Sequence, residues 1–382
     1  MSTVIHSARL VTDGTITDDA WVVFGSDAAV AGRGTGDAWR ALAQGAAVVD
    51  AAGDILTPGF IDIHGHGGGA AAYDDGADAI ATAVAVHRAH GTTRSVLSLV
   101  TASVDDLAAR AGVIADLAGR DPLILGSHLE GPFLDVGHKG AHTPELLTAP
   151  SRDAVDTLLD AAGGTLRQVT IAPELPGGLE AIGAFARAGV TVAIGHTDAD
   201  FDMACAAFDA GATLLTHAFN AMNGIHHRAP GPVVAAFSRD DVTIEVINDG
   251  THVHPQVVRL LFASAPGRVA LVTDAMAAAG AADGAYTLGG LAVTVTDGVA
   301  RLVDGGSIAG STLTQDEALR RAVTDVGLSL PDAVDALTRV PARAIGADES
   351  LGSLSPGFAA DAVLLNDALE VRSVWAAGDQ LR

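Results

Sequence analysis

The sequence predicts an α/β fold: a TIM-like (β/α)8 barrel with a small β-sandwich domain built from both chain ends. Two observations predict it. Through the middle of the chain, short apolar runs alternate with alanine-rich segments of helical period, as parallel strands joined by crossover helices do. At both ends, strand-like runs are separated by Gly/Asp clusters, and neither end carries enough strands to form a stable sheet alone.

The expected organisation is therefore residues 1–56 for the first part of the sandwich, 57–345 for the barrel and 346–382 for the second part. At the N-terminal end Val4-Ile5, Trp21 to Phe24 and Ala46 to Val49 read as strands. Asp361 to Leu365 and Val371 to Trp375 are their C-terminal counterparts. The barrel strand candidates are Phe60 to Ile63, Ser95 to Val100, Leu123 to His128, Gln168 to Ala172, Thr191 to Ile194, Thr213 to Thr216, Thr243 to Ile247 and Val269 to Val272. Ile80 to His90, Leu179 to Ala188 and Met203 to Ala210 are helical patterns between them. A doubly wound open sheet is the alternative arrangement of the same elements, but no GxGxxG opens a helix and no P-loop is present.

Composition excludes several roles. The 382 residues are 49% apolar, enough for a sizeable core. No apolar run approaches the roughly 20 residues of a membrane helix, and the N-terminus lacks a signal-peptide pattern. With 46 acidic against 22 basic residues the formal net charge is −24, which argues against nucleic acid or an anionic membrane as partner. The only cysteine is Cys205, so no internal disulfide forms; a cytoplasmic location is expected.

In such a barrel, chemistry sits at the C-terminal ends of the strands. Six strand ends here carry imidazoles or carboxylates: His64 and His66, Glu130, His196, His217, Asp249 with His252, and Asp274. His64 and His66 share one side of an extended segment because side chains alternate with period two. Taken singly, a histidine at a strand end is usually a hydrogen-bonded core or loop residue, and Glu130 could cap a helix. The same chemistry delivered from six strands to one face points instead to a divalent cation such as zinc, bound by imidazole nitrogen and carboxylate oxygen. Asp274 follows the apolar run Val269 to Val272. A carboxylate there can take a proton from an activated water and return it to a leaving amine, although Asp also favours helix N-caps.

These residues resemble the amidohydrolase superfamily. Pro58 to His66, PGFIDIHGH, is similar to its entry into barrel strand one, and Gly352 to Leu365, GSLSPGFAADAVLL, to the return into the sandwich. Within the superfamily the resemblance is to the N-acetylglucosamine-6-phosphate deacetylases. It rests on HLEGPF at 128–133, HKGAH at 138–142, GHT at 195–197, THAFNAM at 216–222, HHRAPG at 226–231, DGTH at 249–252, TDAM at 273–276 and IAGS at 308–311.

The resemblance implies a main cation on Glu130, His196 and His217. It also implies capacity for a second, on His64 and His66 with Glu130 bridging. Lys139 is the only lysine and lies in a loop, so a carboxylated-lysine bridge is not expected. The implied substrate site comprises Ala141 and His142 near the sugar or amide, and Asn220, the Ala221 amide, Arg228 and His252 at the phosphate. Ile308, Ala309 and Gly310 form a wall, and Asp249 is a further candidate. Arg228 is implied to serve the neighbouring subunit of a homodimer. Met222 to Ile225 is less proline-rich and less bulky than the family pattern. The implied reaction is hydrolysis of the N-acetyl group of N-acetylglucosamine 6-phosphate, in amino-sugar catabolism and cell-wall recycling, with Asp274 as acid and base. The rival expectations are a deacetylase of N-acetylgalactosamine 6-phosphate, a cyclic-amide hydrolase, and a non-catalytic metal-binding scaffold.

Overall fold

The computed structural model describes residues 2–382. The chain forms two compact units. One comprises the described residues up to Asp62 with His87–Arg94 and Gln315–Arg382; the other comprises Ile63–Val86 and Ser95–Thr314. Among the described residues no helix is long and apolar enough to cross a membrane.

The first unit holds a mixed sheet made from both chain ends. In spatial order its strands are Asp379–Gln380, Val371–Ala376, Ala362–Leu365, Ile55–Pro58, Thr3–Thr12, Thr15–Phe24 and Val30–Thr35, with Ala47–Asp50 also pairing with Thr3–Thr12. The ends meet where Ile55–Pro58 runs antiparallel to Ala362–Leu365. Ile5, Val22, Phe24, Leu56, Leu364 and Trp375 fill its core. A buried ion pair adds to this unit: Arg94 Nε and Nη2 donate to the two oxygens of Asp361 at 2.6 and 3.1 Å, and Asp361 also accepts the Ala377 amide at 2.7 Å.

Three strands of this sheet, Val30–Thr35, Ile55–Pro58 and the two-residue Asp379–Gln380, go beyond the sequence expectation. Val30–Thr35 contains two glycines and so carries little β signal. Gly34 is required there: a Cβ would meet the Trp21 ring at 2.5 Å.

The barrel strands are Phe60–Asp62, Thr92–Val100, Ile124–Glu130, Leu166–Ile171, Thr191–Ile194, Leu214–Leu215, Thr243–Ile247 and Val269–Val272, taken below as strands one to eight. They lie side by side in sequence order, and those from two to eight pair in parallel. Past the ends of strands one and eight, backbone bonds stitch the chain together: Asp274 N–H donates to His64 O at 2.8 Å and His66 N–H to Ala275 O at 2.7 Å. The barrel is thus nearly closed, and its connecting helices start on side-chain caps such as Ser103, Ser151 and Asp200.

Between strand eight and the final helices lies a three-stranded antiparallel sheet, Gly284–Leu288, Leu291–Thr296 and Val299–Leu302, which the sequence reading did not anticipate. Its pattern of alternate burial, with Val293 and Val295 inward, and its Gly289-Gly290 turn carry the signal for it. The buried face packs on Val100, Met276 and Ala309.

Candidate metal centre and active site

Glu130, the last residue of strand three, is the hub of the site. Its Oε1 lies 3.3 Å from His64 Nε2, 3.2 Å from His196 Nε2 and 3.1 Å from His217 Nε2. Its Oε2 lies 3.0 Å from His66 Nε2 and 3.5 Å from His142 Nε2. Asp274 Oδ1 sits 3.4 Å from His66 Nε2 and 3.6 Å from His64 Nε2. Each of these side chains is buried. Gly131 lets the chain turn away from the hub. Its φ is +100°, and a Cβ there would overlap Thr101 Oγ1.

The strand ends aim these groups inward with a backbone that few residues tolerate. His196, His217 and Asp274 all have positive φ, at 49°, 25° and 47°. Such conformations are strained for side chains with a Cβ and collect at functional sites.

The donor set fits a divalent cation. A carbonyl oxygen can only accept, so the 2.9 Å contact between His196 Nδ1 and His138 O fixes the proton on Nδ1 and leaves Nε2 as a lone pair. That lone pair faces His217 Nε2 at 3.0 Å, and both approach Glu130 Oε1. Two ring nitrogens and a carboxylate oxygen converging in a buried space are satisfied by a shared cation. A second group of ligand atoms, on His64, His66, Glu130 and Asp274, lies within 4.8 Å of one another.

Electrostatics agree. Burial opposes charge on His66, but the Asp274 and Glu130 carboxylates outweigh it and carry its pKa to about 9. His64 is likewise pushed well above the usual imidazole value by Glu130, Glu245 and Asp274 against the effect of burial. The field that favours a proton on these rings also favours a cation. Burial would raise Glu130 and Asp274, but the surrounding imidazoles hold Glu130 well below the carboxylate range and Asp274 at about 2.

The cluster forms the floor of a cavity of ≈ 480 Å³, a size suited to a small ligand. Residues 55–381 match the Amidohydrolase family. The chain belongs to the amidohydrolase family. This amidohydrolase is 40% identical over 85% of its length to an N-acetylgalactosamine-6-phosphate deacetylase from Escherichia coli O157:H7, covering 87% of that protein. It is 34% identical to an N-acetylglucosamine-6-phosphate deacetylase from Vibrio furnissii, over 85% of this chain and 82% of that one. A solved structure of an N-acetyl-D-glucosamine-6-phosphate deacetylase variant from Mycobacterium smegmatis, in complex with N-acetyl-D-glucosamine-6-phosphate, superposes with a TM-score of 0.94. It shares 41% identity, over 100% of this chain and 99% of that one.

The amidohydrolase cavity gathers most of the residues singled out from sequence. Ala141, His142, Asn220, Ala221 and His252 line it, as do Ile308 and Gly310. Ala309, the remaining residue of the expected wall, is fully buried, packs with the three-stranded sheet and is not among the lining residues. Asp249 stands behind His252, its Oδ2 2.7 Å from His252 Nδ1. Burial opposes charge on His252, but this carboxylate raises its pKa overall. Arg228 is exposed, in a loop with His226 and His227, and is not among the cavity-lining residues of its own chain. His142, expected near substrate, also stands within ligand distance of Glu130 and His196, and its Nδ1 meets Thr101 Oγ1 at 2.8 Å.

Sequence reasoning missed Glu245 and Gln168. Glu245 lies fully buried in strand seven, with its Oε2 3.0 Å from His64 Nδ1 and its Oε1 accepting from Gln168 Nε2 at 2.9 Å. The available signal was an acid flanked by apolar residues in the middle of a strand, TIEVI.

Proposed function

We propose that this amidohydrolase removes the N-acetyl group of N-acetylglucosamine 6-phosphate, giving glucosamine 6-phosphate and acetate. The observation that carries the reading is the buried Glu130 cluster facing Asp274 at the floor of the cavity. The names of the relatives support it. Glu130, His196 and His217 would hold the main cation, and His64 and His66 with Glu130 a second; zinc suits nitrogen and carboxylate donors of this kind. When bound, the cation supplies Lewis acidity that lowers the pKa of water towards roughly 7 and polarises the amide carbonyl.

The chain's own residues do the rest. Asp274, held unprotonated near pKa 2, accepts the proton as water oxygen bonds to the acetyl carbon. It then delivers that proton to nitrogen as the carbon–nitrogen bond breaks, so the sugar leaves as an amine. Asn220, the Ala221 amide and His252 would bind phosphate from within the chain. In a homodimer, Arg228 of one subunit would complete the neighbouring site through a charge-assisted pair.

A second reading is favoured by one observation. The 40%-identical E. coli protein carries the galactose-type name, so the C4 epimer N-acetylgalactosamine 6-phosphate is the alternative substrate. Acetate release from the two epimers, measured side by side with zinc-loaded protein, tests both. A higher kcat/KM for the gluco epimer is expected. The reverse order transfers the assignment to the galacto epimer, and no release from either sinks the proposal.

A further inference from the structure

Glu245 belongs to neither the ligand set nor the cavity lining, yet it is fully buried within the barrel beneath the site. A carboxylate in that position is costly unless several donors meet it. Three do. His64 Nδ1 lies 3.0 Å from Oε2, Gln168 Nε2 donates to Oε1 at 2.9 Å, and the backbone N–H of His217 donates to Oε2 at 3.3 Å. The first contact bears directly on cation binding. A carboxylate facing Nδ1 keeps the ring proton there, so His64 Nε2, 3.3 Å from Glu130, is the nitrogen offered to the His64–His66 half of the site. His66 lacks such support: its Nδ1 is buried with no hydrogen-bond partner among the described residues. The fixed ring of the pair is therefore His64, and Glu245 fixes it.

Resting on the metal reading above, we propose that Glu245 is a positioning residue that sets the affinity of the His64–His66 half of the site for a second divalent cation. It acts through His64 and touches neither substrate nor the reacting atoms. The Gln168–Glu245–His64 chain carries the effect from strands four and seven to the end of strand one.

Glu245→Gln is the informative change because it keeps the shape and removes the charge. The Gln168 amide can flip to meet the new side chain, since its Oε1 is buried with no partner in the present orientation. Zinc is titrated into metal-free protein against a competing chelator, with stoichiometry read by elemental analysis. The wild type should take two equivalents. In Glu245→Gln the second should weaken by about 10–100-fold while the first stays within about 3-fold. An unchanged second equivalent, or equal weakening of both, overturns the proposal and leaves the metal reading standing. A wild type that takes only one equivalent also overturns it, whereas one that takes none removes the metal reading itself.

If the variant does not fold, ¹⁵N-histidine spectra of the zinc-loaded wild type decide. The His64 signal, assigned by its loss in His64→Gln, should show a protonated Nδ1. A ring protonated on Nε2 instead overturns the proposal.

Discussion

Replacing Asp274 by asparagine isolates proton transfer from everything else the residue does. Asparagine has the same shape and is among the few residues that accept left-handed backbone, so the φ of +47° at this position is not an obstacle. Its amide oxygen can still face His66 and His64, which lie 3.4 and 3.6 Å from the present Oδ1. What it cannot do is take a proton from water and return it to the amine. Losing a positioned acid/base costs about 10²–10⁴-fold in rate, or roughly 3–5 kcal/mol of transition-state stabilisation. The expected outcome is a kcat lowered by at least about 10²-fold, with KM changed little and the cation on Glu130, His196 and His217 retained. Steady-state acetate release with elemental analysis of the same sample measures both. A correctly folded, zinc-containing variant with near-normal kcat would remove Asp274 from the mechanism.

Arg228→Ala should raise KM for the phosphorylated sugar by at least about 10-fold, the loss expected for a charge-assisted pair worth ~1.5–3 kcal/mol, and affect unphosphorylated N-acetylglucosamine far less. Mixed with Asp274→Asn subunits it should regain activity at low substrate; no recovery in mixed dimers verified by native mass spectrometry rejects the shared site. The Asp249–His252 pair predicts a pH dependence. Burial lowers and Asp249 raises the His252 pKa, with a net rise, so the positive charge facing phosphate persists below that raised pKa and is lost as pH climbs through it. KM should then increase on the alkaline side, and Asp249→Asn should move the increase to lower pH; identical profiles would detach His252 charge from phosphate binding. Asp361→Ala leaves Arg94 buried without its bidentate partner, and urea unfolding should show a loss of ~3–5 kcal/mol. A change below 1 kcal/mol would mean that water or a neighbour replaces the carboxylate.

The barrel was legible because most of its strands contain a short apolar run, as in TVAI at 191–194 and VALV at 269–272, and the ligand candidates sat at the strand ends. Glu130 shows both the strength and the limit of such reading. It shares a strand face with His128 because they are two apart, yet only Glu130 reaches the site. His128 lies deeper, bonded to Ser98 and Thr170 at 2.8 Å each. Depth along the barrel axis follows from strand register, which no local pattern encodes. Glu245 was hidden for a related reason. Its strand is buried throughout, so no alternation of polar and apolar residues marks which side faces the barrel interior. Ala309 and Arg228 mark two further limits of local patterns. A small residue in a motif does not declare whether side chain or backbone faces a ligand, and the surroundings of an exposed loop depend on what packs against it in an assembly.

The pairing of Ile55–Pro58 with Ala362–Leu365 sets a clock on synthesis. Ile55, Leu56 and their neighbours leave the ribosome early, but their antiparallel partner follows only roughly 300 residues later, about 15–60 s at translation speeds of ~5–20 residues per second. Throughout that interval the inner edge of the N-terminal half-sheet has unpaired backbone groups beside apolar side chains, the surface that recruits stray strands. A nascent chain stalled before Ala362 should therefore be far more prone to aggregate, or to engage chaperones, than one released whole. A short stretch near the C-terminus, remote in sequence from every ligand, thus governs whether the N-terminal strands survive long enough to be used.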